Sequence, residues 1–255
     1  MTATLAHLAL ESDLAFARAA YYRFLSRVFA YPRPGLAEIL REELPSAALS
    51  QLWEDAAAAD VQAAVEAVGR ELRDMTDEQL ESLHVMTYGH TISETFPPHE
   101  TRYGSSHPFQ ETQDLADVSA FYGAFGLRVR PGTGERVDHA WLELEFVHFL
   151  AVKQLLALER GETEGAERTL EAARGFLKDH IGRWGPVFGE ILAKKAPSPL
   201  HQAYGALLAA LLRADVKRLG VTPGQVSAEP VPIPPEPQAV DEDDPEEIES
   251  SGCGA

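Results

Sequence analysis

Two Glu-x-x-His pairs, an Asp-His dipeptide, a Gly-x-Gly turn and a lone cysteine are the groupings in this chain whose residue types can carry chemistry. Glu81 with His84 and Glu145 with His148 each lie in a stretch with helical apolar spacing, so each pair projects to one helix face. That arrangement is the ligand unit of di-iron and di-manganese carboxylate bundles, which also take one bridging Glu from each of two further helices. No pair of isolated core glutamates completes the set here. The other reading of the first pair leaves Glu81 exposed and His84 half-buried beside Thr87 and Tyr88.

Asp138-His139 sets a carboxylate beside an imidazole, the orienting pair of nucleophilic triads. Adjacent residues on a helix do not face each other, however, and no Ser or Cys stands in a nucleophile elbow. Asp138 is better suited to capping a helix start, which contributes about 0.5 to 2 kcal/mol. Gly132-x-Gly134 is too short for a dinucleotide fingerprint and has no strand before it. Cys253 is the only cysteine, so disulfides and Cys-based zinc sites within one chain are excluded. No catalytic residue, metal site or cofactor is assigned to the chain.

The elements that must position these residues are helical. Leu14, Ala17, Tyr21, Phe24, Leu25 and Val28 recur at helical spacing, and Tyr31-Pro32-Arg33-Pro34-Gly35 ends their helix. A short helix over 36–43 follows, then an Ala-rich stretch from Ala47 to Leu72 in two pieces broken near Asp60. Thr76 and Gln79 form a capping box for a helix closed by Gly89. Residues 90–110 have neither helical nor strand period yet contain Phe96, Tyr103 and Phe109, which marks a long functional loop. A helix through Phe121, Tyr122 and Phe125 stops at Gly126, and after the turn at 131–134 an almost wholly apolar helix runs from Trp141 to about Arg160. Helices over 164–181, from Pro186 to Lys195 and over 200–219 complete the pattern. The fold class is all-α, a single-domain helical bundle over 1–220 with a long central loop.

Composition narrows the partners. The formal net charge of -18 disfavours phosphate backbones and anionic lipid as partners and favours basic ones. Beyond Gly220 there are seven prolines, nine acidic residues and no Lys or Arg, so 221–255 reads as a disordered acidic tail. The first residues lack a secretory pattern and no run of eighteen apolar residues occurs, which predicts a cytoplasmic protein with no stable membrane insertion.

The segments FPPHETRYG, FQETQDLADVSAFYGAFGL and ERVDHAWLELEFVHFLA, in that order within 80–158, resemble the TorD/NarJ-type redox-enzyme maturation chaperones. The likeness is strongest to those serving type II enzymes of the DMSO reductase family. It implies a non-enzymatic helical chaperone that binds the apo catalytic subunit of such a molybdoenzyme while molybdenum cofactor is inserted. It also implies that a twin-arginine signal peptide on that subunit is a possible epitope. On the family pattern the partner groove is lined by Pro97, Pro98, Glu100, Tyr103 and Gly104 of the Pro-Pro loop and by Asp138 and His139. Tyr122 and Trp141, with Phe121, are candidate apolar walls. His99 departs from the aromatic residue more usual at its place. A basic and apolar segment requires acidic groups beside an apolar groove, so Glu100 and Asp138 are expected to meet arginines of the partner.

Overall fold

The computed structural model describes residues 2–53, 55–89, 93–104, 108–130 and 134–232. The turn at 131–133, Cys253 and the acidic part of the tail from 233 lie outside them. Among the described residues there is no strand, and nine α-helices carry the fold. These are α1 (Thr2–Phe29), α2 (Leu36–Glu43), α3 (Asp55–Leu72), α4 (Asp77–Tyr88), α5 (Pro108–Ala124), α6 (Ala140–Glu159), α7 (Thr163–Asp179), α8 (Ile181–Lys195) and α9 (Pro199–Arg218). Short 3₁₀ turns occupy Ala47–Leu52 and Glu100–Arg102.

Local signals set most boundaries. Thr76 and Gln79 form the reciprocal capping box at the head of α4, and Gly89 follows it at φ 75°. Gly126, at φ 72°, closes α5 while Leu127 N–H returns to Tyr122 O at 2.9 Å. Two boundaries differ from the sequence reading. The break in the Ala-rich stretch comes at Trp53, not near Asp60, because the Trp53 ring is buried against Tyr21 and its Nε1–H reaches Asp215. Pro186 lies inside α8 and does not open it. It forfeits one helical hydrogen bond, which the burial of Trp184, Pro186 and Phe188 offsets.

α6 packs on α1 and α7, and α9 packs on α8 and α3, so the two helices with the most continuous burial run through the centre. At the α8–α9 crossing the chains come together through Gly189 and Gly205. A Cβ on Gly205 would sit 2.5 Å from the Gly189 carbonyl oxygen. Near the middle of the bundle Arg18 Nε lies 3.0 Å from both oxygens of Asp215, which also accepts from Tyr22 Oη at 2.7 Å. Arg18 Nη1 reaches Gln154 at 3.3 Å, so one buried knot ties α1, α6, α9 and Trp53 together.

The first residues after α9 are ordered. Val221 and Val226 pack against the core, and two main-chain N–H groups bond to the central loop, Ser227 to Tyr103 O (3.0 Å) and Val231 to Arg102 O (2.7 Å). The tail expected from 221 onward therefore begins as a strap over the bundle through 232.

Candidate functional site

The Pro-Pro loop and the head of α6 are stitched together by their backbones. Glu100 N–H donates to Asp138 O at 3.0 Å and Ala140 N–H donates to Pro98 O at 2.8 Å, an isolated antiparallel bridge centred on His99 and His139. The two imidazoles meet edge to face with centroids 4.8 Å apart. Segments forty residues apart in the sequence are thus brought side by side.

The acidic residues do not face outward. Asp138 is fully buried, and its carboxylate accepts from Thr101 N–H (3.2 Å), Thr101 Oγ1 (2.9 Å), Arg136 Nε (3.0 Å) and Arg136 Nη2 (3.1 Å). Burial alone would raise its pKa, but the Arg136 hydrogen bonds and charge, with Thr101, hold it below the usual carboxylate range. Glu100 is also buried, with Oε2 3.0 Å from His180 Nδ1 and Oε1 3.8 Å from Arg183. Burial pushes its pKa up, opposed by His180 and Arg183. The sequence reading has both carboxylates meeting a partner's arginines; in the structure they meet arginines of this chain. A buried carboxylate without an internal partner would be too costly for the fold to keep.

The cap of α6 is a second correction. His139, not Asp138, is its N-cap, with Nδ1 accepting from Trp141 N–H at 3.2 Å. Nδ1 is then an acceptor, so the neutral ring is required, and burial holds its pKa down at about 3. The carboxylate of Asp138 turns instead toward Thr101, fixing the loop to the helix head.

The remaining predicted residues divide by depth. Pro97, Pro98 and Tyr103 are buried, Tyr103 stacking on Trp184 with centroids 5.3 Å apart. Gly104 is half-buried, and a Cβ there would come 3.4 Å from Asp114 Oδ2. Tyr122 is buried on Phe146 and Phe176 and donates its hydroxyl to Val137 O at 3.0 Å, so it secures the approach to α6. Phe121 is half-buried, edge-on to His180. Trp141 is half-buried at the surface and donates Nε1–H to Glu135 at 3.2 Å. Tyr31 is 51% exposed, its hydroxyl donates to Glu81 at 2.7 Å and its ring meets His84 at 5.4 Å, and His84 is near enough to His139 to help hold that ring's pKa down.

Several contributors are not among the predicted site residues. Arg136 opens a turn in which His139 N–H returns to Arg136 O at 3.2 Å, and this turn brings its guanidinium onto Asp138. His180, Arg183 and Trp184 sit on α8 or at its head, eighty residues from the loop, and carry no local signal. Glu143 is buried one turn into α6, where Oε2 accepts from Trp184 Nε1 at 3.2 Å. Burial and the nearby charges of Glu100 and Asp138 push its pKa well up.

The metal alternative loses its geometry. Glu81 bonds Tyr31, His84 lies between the rings of Tyr31 and Tyr88, Glu145 pairs with Arg23 and Ser26, and His148 Nδ1 lies 2.9 Å from Ala19 O. Among the described residues no group of three or more His, Cys, Asp and Glu is placed to hold a metal ion.

The family model described as "Nitrate reductase delta subunit" matches residues 54–190, more than half of the chain and all of this site except Tyr31. The chain belongs to that family. This is the TorD/NarJ grouping that its motifs resemble. The chlorate reductase assembly chaperone protein of Ideonella dechloratans is 33% identical over 109 residues, 43% of this chain and 54% of that protein. The selenate reductase assembly chaperone protein of Thauera selenatis is 33% identical over 106 residues, 42% of this chain and 53% of that protein. The chain thus spans about half the length of the curated relatives it matches. For a delta-subunit family member, the arrangement described here is a fused loop and helix head whose charges are internally paired and whose exposed rim is aromatic. No described helix is long and apolar enough to cross a membrane.

Proposed function

We propose that this chain is a non-enzymatic, cytoplasmic assembly chaperone that binds the apo catalytic subunit of a type II DMSO reductase family molybdoenzyme before cofactor insertion, with a twin-arginine signal peptide as one epitope. The observation that carries the reading is the backbone bridge joining Pro98-His99-Glu100 to Asp138-His139-Ala140, because it builds a single rigid platform from the two segments that resemble the family's partner groove. The names of the two relatives support the same reading.

On this proposal Pro97, Pro98, Glu100, Tyr103, Gly104, Tyr122, Asp138 and His139 shape the platform from within, while Trp141 and the neighbouring Tyr31 make contact. Each ring is tethered by a carboxylate, Glu135 at the half-buried Trp141 and Glu81 at the exposed Tyr31. Such a rim suits a segment carrying apolar side chains beside basic ones. Burial of an apolar side chain contributes roughly 1.5 to 3 kcal/mol whereas an exposed ion pair adds about 0 to 1, so the rings supply affinity and the carboxylates mainly supply selectivity.

The test is capture of a purified molybdoenzyme catalytic subunit in its apo and cofactor-loaded forms. The apo form alone should be retained, and Tyr31→Ala with Trp141→Ala should reduce retention at least tenfold without loss of helical content. Equal retention of both forms, or full retention by the double variant, would sink the reading.

A further inference from the structure

The strap formed by residues 221–232 lies along the outer edge of the recognition loop. Its two main-chain donors take the carbonyl oxygens of Arg102 and Tyr103, at 2.7 and 3.0 Å. These carbonyls belong to the loop that carries Glu100, and Tyr103 itself is stacked under it on Trp184. Further contacts follow the same edge. Gly224 lies against Arg183, the guanidinium that approaches Glu100, with a Cβ there falling 3.5 Å from Arg183 Nε. Ala228, Glu229 and Pro230 form one wall of a cleft of about 510 Å³ whose other walls are α8 and Glu94-Thr95 at the entry to the loop. The strap therefore meets the loop near both its start and its end.

We propose that the Arg102–Tyr103 edge is a docking rail for an extended segment of the client, and that residues 225–232 hold it as a built-in competitor until the client displaces them. This rests on the chaperone reading and adds to it how the free protein keeps its binding edge covered.

Three features of the occupant support the assignment. It is attached by backbone bonds, the one mode that any extended peptide can reproduce irrespective of sequence. It has small apolar side chains, Val226 and Val231, that are only half-buried, so its side-chain anchoring is modest. It is tethered to α9 by a few residues, which gives an effective concentration in the millimolar range or above and lets weak contacts keep the rail covered. A structural plug with no such role would instead be expected to bury its side chains fully, as α9 does with Leu207, Leu208, Leu211 and Leu212. Bonds of this kind are each worth a factor of about 2 to 10 in a binding equilibrium.

The experiment uses the full chain and two released forms, one with Ser227→Pro and Val231→Pro to remove both donors, the other with Val226→Asp to remove an apolar anchor. The probe is a synthetic peptide of about thirty residues with two adjacent arginines followed by an apolar run, and its affinity is read by fluorescence anisotropy. Both released forms should bind it roughly tenfold more tightly with unchanged helical content. In the unaltered chain, saturating peptide should speed exchange of the Ser227 and Val231 amide hydrogens, followed by NMR. Unchanged affinity in both released forms, or amide protection retained at saturation, overturns the rail while leaving the client reading intact. Absence of peptide binding by all three forms, together with no capture of the apo catalytic subunit, overturns both. If the apo subunit is captured but the peptide is not bound, the rail is overturned as a site for a leader of this chemistry.

Discussion

Among the described residues two buried charge networks differ in how far they are sealed from water, one in the core of the bundle and one at the proposed partner platform. The Arg18–Asp215 knot is sealed, with both side chains at most 1% exposed, and it joins helices that never leave the core. The Asp138–Arg136 and Glu100–Arg183 pairs have sealed carboxylates but arginines about 30% exposed. The knot leaves one buried atom, Arg18 Nη2, without a hydrogen-bond partner in the described protein, whereas around the second network there are four: His99 Nδ1, Tyr103 Oη, Glu143 Oε1 and His180 Nε2. A sealed pair can only be broken. In the second network the arginines keep contact with water while their carboxylates do not, so only the cations are open to a further partner.

The largest expected effect tests the sealed knot. Asp215→Ala leaves Arg18 buried and uncompensated, so stability should drop by about 3 to 5 kcal/mol, with a large fall in Tm. A loss under 1 kcal/mol in denaturant unfolding would erase the distinction between the networks. Gly205→Ala should cost about 1 to 3 kcal/mol, since the new methyl group meets backbone and cannot be relieved by a rotamer change.

Acid should destabilise the fold through its buried histidines, three of them at or beside the proposed platform. Burial holds His84 and His99 at about 4 and His139 at about 3, below the ordinary 6.5. A group whose folded pKa is lowered in this way binds its proton more readily when unfolded. The stability these histidines permit is thus complete above about pH 6.5 and falls as pH drops toward 4, by up to about 1.4 kcal/mol per unit for each ring. Glu100 and Glu143, both raised, act in the opposite sense and lose stability as pH rises through the range above 4.5. Tm measured from pH 7 to 5 should fall, and His139→Gln should flatten the slope; an unchanged slope would mean that acid acts elsewhere.

The last effect is local. Asp138→Asn keeps the shape of the site and weakens the bonds to Arg136, so a loss of about 1 to 3 kcal/mol is expected with helical content intact. Capture of the client should fall only if the loop shifts. The same substitution would leave capture untouched if the platform stands on the backbone bridge alone.

Much of this was legible beforehand because it depends on neighbours within one helical turn. The capping box at Thr76, the stops at Gly89 and Gly126, and the apolar helix from Trp141 onward all follow from i to i+4 rules. The long loop and its aromatic anchors were equally visible. Where local rules were extended too far they failed. Asp138 satisfied every requirement of a helix cap, yet the tertiary demand of Thr101 and Arg136 took its carboxylate and passed the cap to His139.

The sequence alone determined the helical class, most helix ends, the acidic balance and the motifs that place the chain in its family, since periodicity, capping and composition are properties of short stretches. Tertiary structure alone decided which acids face inward, that His180 and Arg183 answer Glu100 from eighty residues away, and that the chain past α9 returns to cover the loop. Buried charges and unpaired backbone groups take whatever partner the packed bundle brings within 3 Å, and packing joins residues that no local rule connects.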